Sequence, residues 1–172
     1  MKELTLIFAF VFIVGSITIS QAQNTKKEKQ AAKLAAVKKM IDDGNYVFEA
    51  NIAYPERGGS LELTSEYDLK VVKDSVTAFL PYFGQAYLAP NPDETEGGIK
   101  FTSTNFNYTT KQRKNGNWEI SIKPKDKNIL DWRDIQQLKL DVSEDGYANL
   151  QVISTSRDPI SFSGYLKEKE KE

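Results

Sequence analysis

The side chains that could do acid–base chemistry in this chain are carboxylates, tyrosines and lysines, because its 172 residues include no histidine and no cysteine. Histidine is the commonest general base and metal ligand, and cysteine is the best thiol nucleophile. Their absence excludes serine–histidine hydrolysis, cysteine catalysis and zinc sites built on imidazole or thiolate. The 24 Asp and Glu residues leave carboxylate chemistry open, but among so many acids some pair falls close together by chance.

An eight-residue apolar stretch, Leu80–Tyr87, is the best candidate for a binding site. Its aromatic rings have broad apolar faces, and Pro81 and Gly84 would hold the turn between them stiffly. We therefore predict a ligand site at the side chains of Tyr82, Phe83, Gln85 and Tyr87. The alternative is a strand that ends at Pro81, turns a corner at Gly84 and closes one end of the core with its aromatic residues.

Arg157 is the fifth candidate for this site. It directly precedes Asp158-Pro159, and its guanidinium could pair with an acidic group of a ligand. An arginine in such a position more commonly caps a turn or pairs with a neighbouring carboxylate. The sequence leaves both roles open.

Two acidic segments have the residue types of calcium ligands. Asp141–Gly146 places oxygen ligands at the first, third and fifth positions of a calcium loop, but the twelfth position is Val152, where a bidentate glutamate belongs. A hairpin turn at Asp145-Gly146 explains this segment without a metal. The polar loop before Gly98 offers a second set, Asp93, Glu94 and Glu96, which is more typical of a solvated turn. We predict neither a metal site nor a cofactor.

The elements that must position these residues begin with a helix. Leu34, Val37 and Ile41 recur at helical spacing and predict a helix over about residues 26–42, ended by Gly44. Six lysines precede Asp42 with one acid among them, so the helix has a basic face. Such a face would suit an anionic lipid or polysaccharide surface, although a solvated surface is its ordinary role.

From Tyr46 onward the apolar residues alternate with polar ones, which indicates half-buried antiparallel strands. The first strand should present Tyr46, Phe48, Ala50, Ile52 and Tyr54 on one face. Asn115-Gly116 and Asp145-Gly146 lie between alternating segments, which is a strong hairpin signal. The fold class is therefore mainly β: an antiparallel β-sandwich or a partly closed, lipocalin-like β-barrel of about nine or ten strands with one N-terminal α-helix.

The chain divides into four regions. Residues 1–22 read as a secretory signal, with Lys2, an apolar run and the small-x-small site Ser20-Gln21-Ala22. The continuous apolar run is shorter than the ~20 residues of a spanning helix, so we predict cleavage before Gln23 and a periplasmic or secreted protein without a transmembrane segment. The helix region 23–45, one β-rich domain over 46–166 and a charged tail over 167–172 follow. A net charge of −1 gives no reason to expect nucleic acid as a partner.

Three motifs resemble those of domain-of-unknown-function family 4251. They are Leu80-Pro81-Tyr82-Phe83-Gly84, Gly98-Ile99-Lys100-Phe101 and Gly146-Tyr147-Ala148-Asn149-Leu150, and the closing run Arg157–Tyr165 is also similar. The resemblance covers residues from Tyr46 to about Leu166 and implies a small secreted or periplasmic β-rich domain of a Gram-negative bacterium. The family has no assigned activity, so the resemblance implies no catalytic residues.

The residues and the resemblance leave three functions open. The first is a non-catalytic exported domain that binds a small apolar ligand or a partner segment. The second is an envelope module that docks on another protein through a strand edge or the basic helix. The third is a carboxylate-based glycan hydrolase, which is the least supported because no acid pair has a distinguishing context.

Overall fold

The computed structural model describes residues 26–87, 98–126 and 135–169. The predicted signal segment 1–22, the cleavage site before Gln23, the acidic loop residues 93–96 and the end of the charged tail lie outside these ranges. Helix α1 spans residues 26–43, as the apolar spacing predicts. Nine strands follow, namely β1 (Tyr46–Pro55), β2 (Leu61–Val72), β3 (Ser75–Leu80), β4 (Ile99–Ser103), β5 (Phe106–Gln112), β6 (Trp118–Pro124), β7 (Ile135–Val142), β8 (Tyr147–Ser154) and β9 (Ile160–Lys167). Within the described ranges, no helix has the length and apolarity needed to cross a membrane.

All nine strands form one antiparallel sheet in the order β4-β3-β2-β1-β9-β8-β7-β6-β5. The sheet curls into a nearly closed barrel, with β4 and β5 as its two edges. Of the two architectures that the sequence left open, the structure is therefore the barrel. The mainly antiparallel β fold with an N-terminal helix is confirmed.

The predicted hairpin turns are present, and glycine conformation explains them. Gly116 and Gly146 have φ of +88° and +86°, which side chains with a Cβ rarely adopt. In each turn the glycine N–H donates to a carbonyl three residues earlier, that of Arg113 or Ser143. Each turn thus reverses the chain and sets the register of the strands on either side.

The core lies inside the barrel, where alternate strand residues point. The largest fully buried apolar side chains of the strands are Tyr46, Phe48, Phe162, Leu69, Leu80, Ile99, Ile120, Ile122, Leu138 and Leu140. Val37, Met40 and Ile41 of α1 join this cluster. Because Ile41 contacts β5 and Val37 lies beside Gly146 of the β7–β8 turn, α1 packs across that end of the barrel.

The first strand departs from the predicted alternation. Tyr46, Phe48 and Ala50 face the core, but Ala53 is fully buried and Tyr54 is 42% exposed, so the prediction that Ile52 and Tyr54 share the inner face is wrong. A β-bulge between Ala50 and Ile52 shifts the register against both neighbouring strands. One extra residue in a strand exchanges the faces of all residues beyond it, because side chains alternate with a period of two.

A single carboxylate holds the corner between the two edge strands. Oδ2 of Asp126 accepts hydrogen bonds from Oγ of Ser103 at 2.7 Å and from the backbone N–H groups of Thr104 and Asn105 at 3.1 Å. These donors, Ser103 first, lower the pKa of Asp126 below its ordinary value. The β4–β5 connection is thereby pinned to the end of β6.

Candidate functional site

The candidate ligand-binding stretch leaves β3 and crosses to the β8–β9 connection. We call its residues Pro81–Tyr87 the strap. The backbone N–H of Tyr87 donates to the carbonyl of Ser156 at 2.8 Å, and that of Asp158 donates to the carbonyl of Gln85 at 3.1 Å. These two bonds form an isolated antiparallel bridge between Ala86 and Arg157. Pro81 cannot donate to a sheet ladder, which explains why β3 stops at Leu80 and the chain changes partners there.

Tyr82 anchors the strap through its hydroxyl. The Tyr82 Oη lies 3.0 Å from the carbonyl oxygen of Gln85 and 3.1 Å from that of Asp158, so its one proton is shared between acceptors on both sides of the bridge. The ring lies against the guanidinium of Arg157, whose central carbon is 4.6 Å from the ring centre. Partial burial, followed by the nearby Asp158 carboxylate, raises the pKa of Tyr82. The Tyr82 side chain is therefore uncharged, and its ring is held in place by these contacts.

Arg157 is a buried structural cation at 2% exposure. Its Nη1 donates to the carbonyl of Gly98 at 3.1 Å, directly before β4. The neighbouring Asp158 carboxylate accepts a hydrogen bond from the Tyr87 hydroxyl, which is the main reason that the pKa of Tyr87 is raised. The β8–β9 connection thus binds the strap at Tyr87 and the start of β4 at Gly98.

Beside the strap lies an open pocket of about 450 Å³. Its lining, among the described residues, is Tyr67, Phe79, Leu80, Pro81, Tyr82, Phe83 and Lys100. Phe79 and Phe83 are 41% and 39% exposed, whereas Leu80 and Pro81 are buried. Pockets that take small ligands in proteins have volumes of roughly 300 to 1,000 Å³, so this one is large enough.

The aromatic wall of the pocket is fixed from two directions. Tyr67 of β2 stacks on Phe79 with ring centres 5.6 Å apart and an interplanar angle of 24°. Lys100 of β4, opposite Phe79 in the strand register, places its Nζ 4.9 Å from the centre of the same ring. Because β2 and β4 flank β3, Tyr67 and Lys100 hold Phe79 between them. The Phe79 ring is thus already ordered, and a ligand would not lose binding free energy by immobilising it.

The five sequence-predicted site residues come together in the structure. Tyr82 and Phe83 line the pocket, while Gln85, Tyr87 and Arg157 form the bridge behind it. Tyr82 and Arg157 are tied into the bridge, whereas Phe83 and Tyr87 are 39% and 62% exposed. Whether these residues bind a ligand stays a prediction.

Sequence reasoning missed Tyr67, Phe79 and Lys100. A usable signal existed for Phe79, because Val76, Ala78 and Leu80 alternate as the inner face of β3 and leave Phe79 on the outer face. A large aromatic residue on the solvent-exposed face of a strand is a stronger sign of a binding site than an aromatic residue in the core. The sequence carried no comparable signal for Tyr67, whose stacking depends on the pairing of β2 with β3.

Two other candidate regions are less suited to a ligand. A cleft between the end of α1, the β2–β3 turn and β5 measures about 170 Å³, well below the usual range for small-molecule sites. At the calcium-like hairpin, the Asp145 carboxylate accepts from Oγ of Ser143 at 2.5 Å, and this bond lowers the pKa of Asp145. The described ranges contain no group of three or more acidic side chains placed to hold a metal ion.

Comparison with known proteins agrees with the fold described above. No curated protein matches this chain. A crystal structure of a DUF4251 family protein from Bacteroides eggerthii DSM 20697, at 1.95 Å resolution, is similar with a TM-score of 0.58 and 22% identity, over 81% of this chain and 91% of that one. At this identity the likeness shows the shared fold alone. Residues 28–166 match the family described as Domain of unknown function (DUF4251), and the chain therefore belongs to the DUF4251 family.

Proposed function

We propose that this protein is a non-catalytic binding domain whose ligand packs an apolar face into the pocket beside the strap. The observation that carries the proposal is the fixed aromatic wall of Tyr67 and Phe79, which lines an open pocket of about 450 Å³ together with Phe83. Aromatic side chains normally bury their faces, and a contiguous apolar patch of several partly exposed side chains is typical of an interaction site. The ligand class is that of small apolar molecules or the apolar side chains of a partner segment.

The lowered pKa values of two carboxylates, Asp126 and Asp145, support a structural role for these acids. A general acid needs a raised pKa so that it holds its proton near neutral pH. Hydroxyl and amide groups donate to the carboxylates of Asp126 and Asp145 and lower the pKa of each. Such hydrogen bonds serve turns and corners, and they stabilise the ionised form, which has no proton to donate.

Export completes the proposal. The apolar run and small-x-small site in residues 1–22 support secretion, with a mature chain that begins near Gln23. The test is cell fractionation followed by intact mass measurement. A mass that begins at Gln23 in the periplasmic or extracellular fraction supports export, and a full-length chain in the cytoplasm contradicts it.

The binding proposal is tested with phenylnaphthylamine, a neutral apolar fluorophore. We expect saturable binding to the mature protein and a dissociation constant about tenfold weaker in Phe83→Ala, because a partly buried aromatic contact contributes roughly 1.4 kcal/mol. Tyr165→Ala is the matched control, since Tyr165 is an exposed aromatic on β9, away from the pocket. Equal weakening in both variants, or no saturable binding, would contradict the proposal.

Native mass spectrometry of the protein purified from its own cells identifies the natural partner. A small extra mass that denaturation releases supports a small-molecule ligand. A second polypeptide that depends on Phe83 supports a partner segment, whereas a polypeptide retained by Phe83→Ala favours the alternative envelope-docking function.

A further inference from the structure

The two edge strands of the barrel follow each other in the chain, yet they do not pair with each other. Thr104 and Asn105 connect β4 to β5, but β4 pairs with β3 and β5 pairs with β6. Among the described residues, each edge strand therefore has one side without a ladder partner. An unpaired strand edge is a template for pairing with another chain. Because β5 contributes no residue to the described lining of the pocket, a function of its edge is independent of the ligand binding proposed above and goes beyond it.

Hydrogen bonds at both ends of the β5–β6 ladder identify the backbone groups of β5 that point away from β6. The N–H of Arg113 donates to the carbonyl of Asn117, and the N–H of Lys125 donates to the carbonyl of Asn105, each at 2.7 Å. In an antiparallel pair, the residues of one strand alternate between bonding to the partner strand and pointing away from it. The register has no shift between these two bonds, so the odd-numbered residues of β5 bond to β6. The outward backbone groups are those of Phe106, Tyr108, Thr110 and Gln112.

The outer edge of β5 is open to another strand. Within the described part of the chain, no backbone group of a third segment bonds to the four outward residues. Residues 109–112 are exposed on both faces of the strand. Natural edge strands are commonly protected by proline, by bulges or by charged side chains. β5 has no proline, its ladder with β6 has no bulge, and its one charged residue, Lys111, lies opposite Glu119.

The side chains of β5 complement their own equivalents in an antiparallel register centred on Thr109. Thr109 is the middle residue of the seven-residue strand, so this register overlaps the whole strand and places the outward residues opposite one another. Tyr108 of each copy then lies opposite Thr110 of the other, and Thr109 lies opposite its own equivalent. Such aromatic–β-branched and Thr–Thr pairs are favourable across strands. Lys111 lies opposite Asn107, so no like charges meet, whereas a register centred on Lys111 would place two lysines together.

We propose that this protein forms a twofold dimer in which β5 of one copy pairs with β5 of a second copy, so that one sheet continues through both barrels. The observation that carries this inference is an unprotected strand edge whose residues complement their own equivalents. A second copy of the chain is the occupant for which the sequence of β5 supplies this match. The interface is the same patch on both copies, so each dimer uses both β5 edges and does not grow into a filament.

Single-cysteine variants test the register, because the natural chain contains no cysteine. In a non-hydrogen-bonded antiparallel pair the Cα atoms are ~4.5 Å apart, which a disulfide can span. Thr109→Cys should therefore form a disulfide-linked dimer under mild oxidation. Asn107→Cys and Lys111→Cys are the matched controls, since each cysteine would lie about 13 Å from its own equivalent and should cross-link at least about tenfold more slowly. A mixture of the two control variants should cross-link with each other, because positions 107 and 111 are opposite in this register.

Light scattering of the cysteine-free protein measures the same contact without oxidation. We expect the mass of the wild type to fall from that of a dimer to that of a monomer on dilution. Thr109→Lys places two like charges across the twofold axis and should weaken the dimer about tenfold. Thr102→Lys is the matched control, since Thr102 is an exposed residue of the other edge strand, β4, and this change should leave the dimer intact.

Two results would overturn the inference directly: equal cross-linking rates for the three cysteine variants, or a wild-type protein that stays monomeric at every concentration. A dimer that Thr102→Lys breaks and Thr109→Lys retains would place the contact at β4 and would also overturn it. Circular dichroism must show the native fold in each variant. If Thr109→Lys does not fold, the cross-linking of Thr109→Cys against its controls decides. None of these results bears on the pocket, whose ligand binding is measured separately.

Discussion

The guanidinium of Arg157 lies 4.6 Å from the centre of the Tyr82 ring, and the two residues hold the strap against the β8–β9 connection. Arg157 also donates to the carbonyl of Gly98, while the Tyr82 hydroxyl donates across the bridge to the carbonyl of Asp158. One buried cation therefore links three segments that are distant in the sequence. The pocket wall formed by Tyr82 depends on this link.

Replacing Arg157 with alanine should destabilise the protein by about 3 kcal/mol, because a charged hydrogen bond and a cation–π contact are lost in a buried place. Urea unfolding followed by circular dichroism measures this change. Arg113→Ala is the control, since Arg113 is half exposed and pairs with Glu119 at the surface. That substitution should cost less than about 1 kcal/mol. Equal losses for the two arginines would show that Arg157 does not secure the strap.

Gly164→Ala should be among the most damaging small substitutions in the chain. A Cβ at Gly164 would overlap the carbonyl oxygen of Glu49, and that backbone group cannot move without disturbing the β1–β9 ladder. We expect a loss of about 3 kcal/mol or more, or about 6 °C or more in melting temperature for a chain of this size. Gly59→Ala is the control, because a Cβ added there would meet no atom within 4 Å. A Gly164→Ala protein that melts with the wild type would contradict the close approach.

The stability of the protein should fall at alkaline pH because of Tyr46. Burial, followed by the neighbouring Tyr108, raises the pKa of Tyr46 well above its ordinary value, and burial also raises the pKa of Tyr108. The unfolded state therefore loses these protons first, near pH ~10, and the free energy of unfolding decreases as the pH rises further.

Thermal melts between about pH 9 and pH 11 test this behaviour. Tyr46→Phe should be less stable than the wild type at neutral pH by about 1 kcal/mol, because the hydroxyl contact to Tyr108 is lost. Its melting temperature should nevertheless fall less steeply with rising pH. Tyr165→Phe, at an exposed site, should keep the wild-type slope. A wild-type slope in Tyr46→Phe would contradict the assignment.

Asp126 should make the protein sensitive to acid. Its pKa is lowered by the donors at the β4–β5 corner, so its contribution to stability is complete above the ordinary Asp pKa of about 4 and is lost as the pH falls through the lower folded-state value. Asp126→Asn should therefore be less stable than the wild type at neutral pH, and the gap in melting temperature should close as the pH falls below about 4. Asp74→Asn, on the exposed β2–β3 turn, is the control. A gap that stays constant with pH would contradict the role of the carboxylate.

Much of the fold followed from short-range chemistry. Gly44, Gly116 and Gly146 lie where a positive φ ends a helix or reverses a chain, and each of those predictions is confirmed. The alternating segments beside Asn115-Gly116 and Asp145-Gly146 include strands β6, β7 and β8, and each has one buried face. These signals are local, because a turn or a pleat depends on residues a few positions apart.

The inner face of β1 could not be predicted in the same way. Ile52 and Tyr54 continue the alternation of Tyr46 and Phe48 in the sequence, but the bulge after Ala50 places Ala53 inside instead. A bulge is an adjustment between paired strands, so its position depends on the partners of a strand as well as on its own residues.

The helix, the hairpins, the antiparallel class and the exclusion of histidine and cysteine chemistry could all be read from the sequence, because each depends on residue types and their near neighbours. Tertiary contacts determine that the sheet curls into a nearly closed barrel and that Arg157 becomes the buried support of Tyr82. They also bring Tyr67, Phe79 and Lys100 together with Phe83 in one pocket lining. These contacts join β2, β3, β4 and the strap. Such distant parts of the chain come within reach of one another only when β3 pairs with β2 and β4.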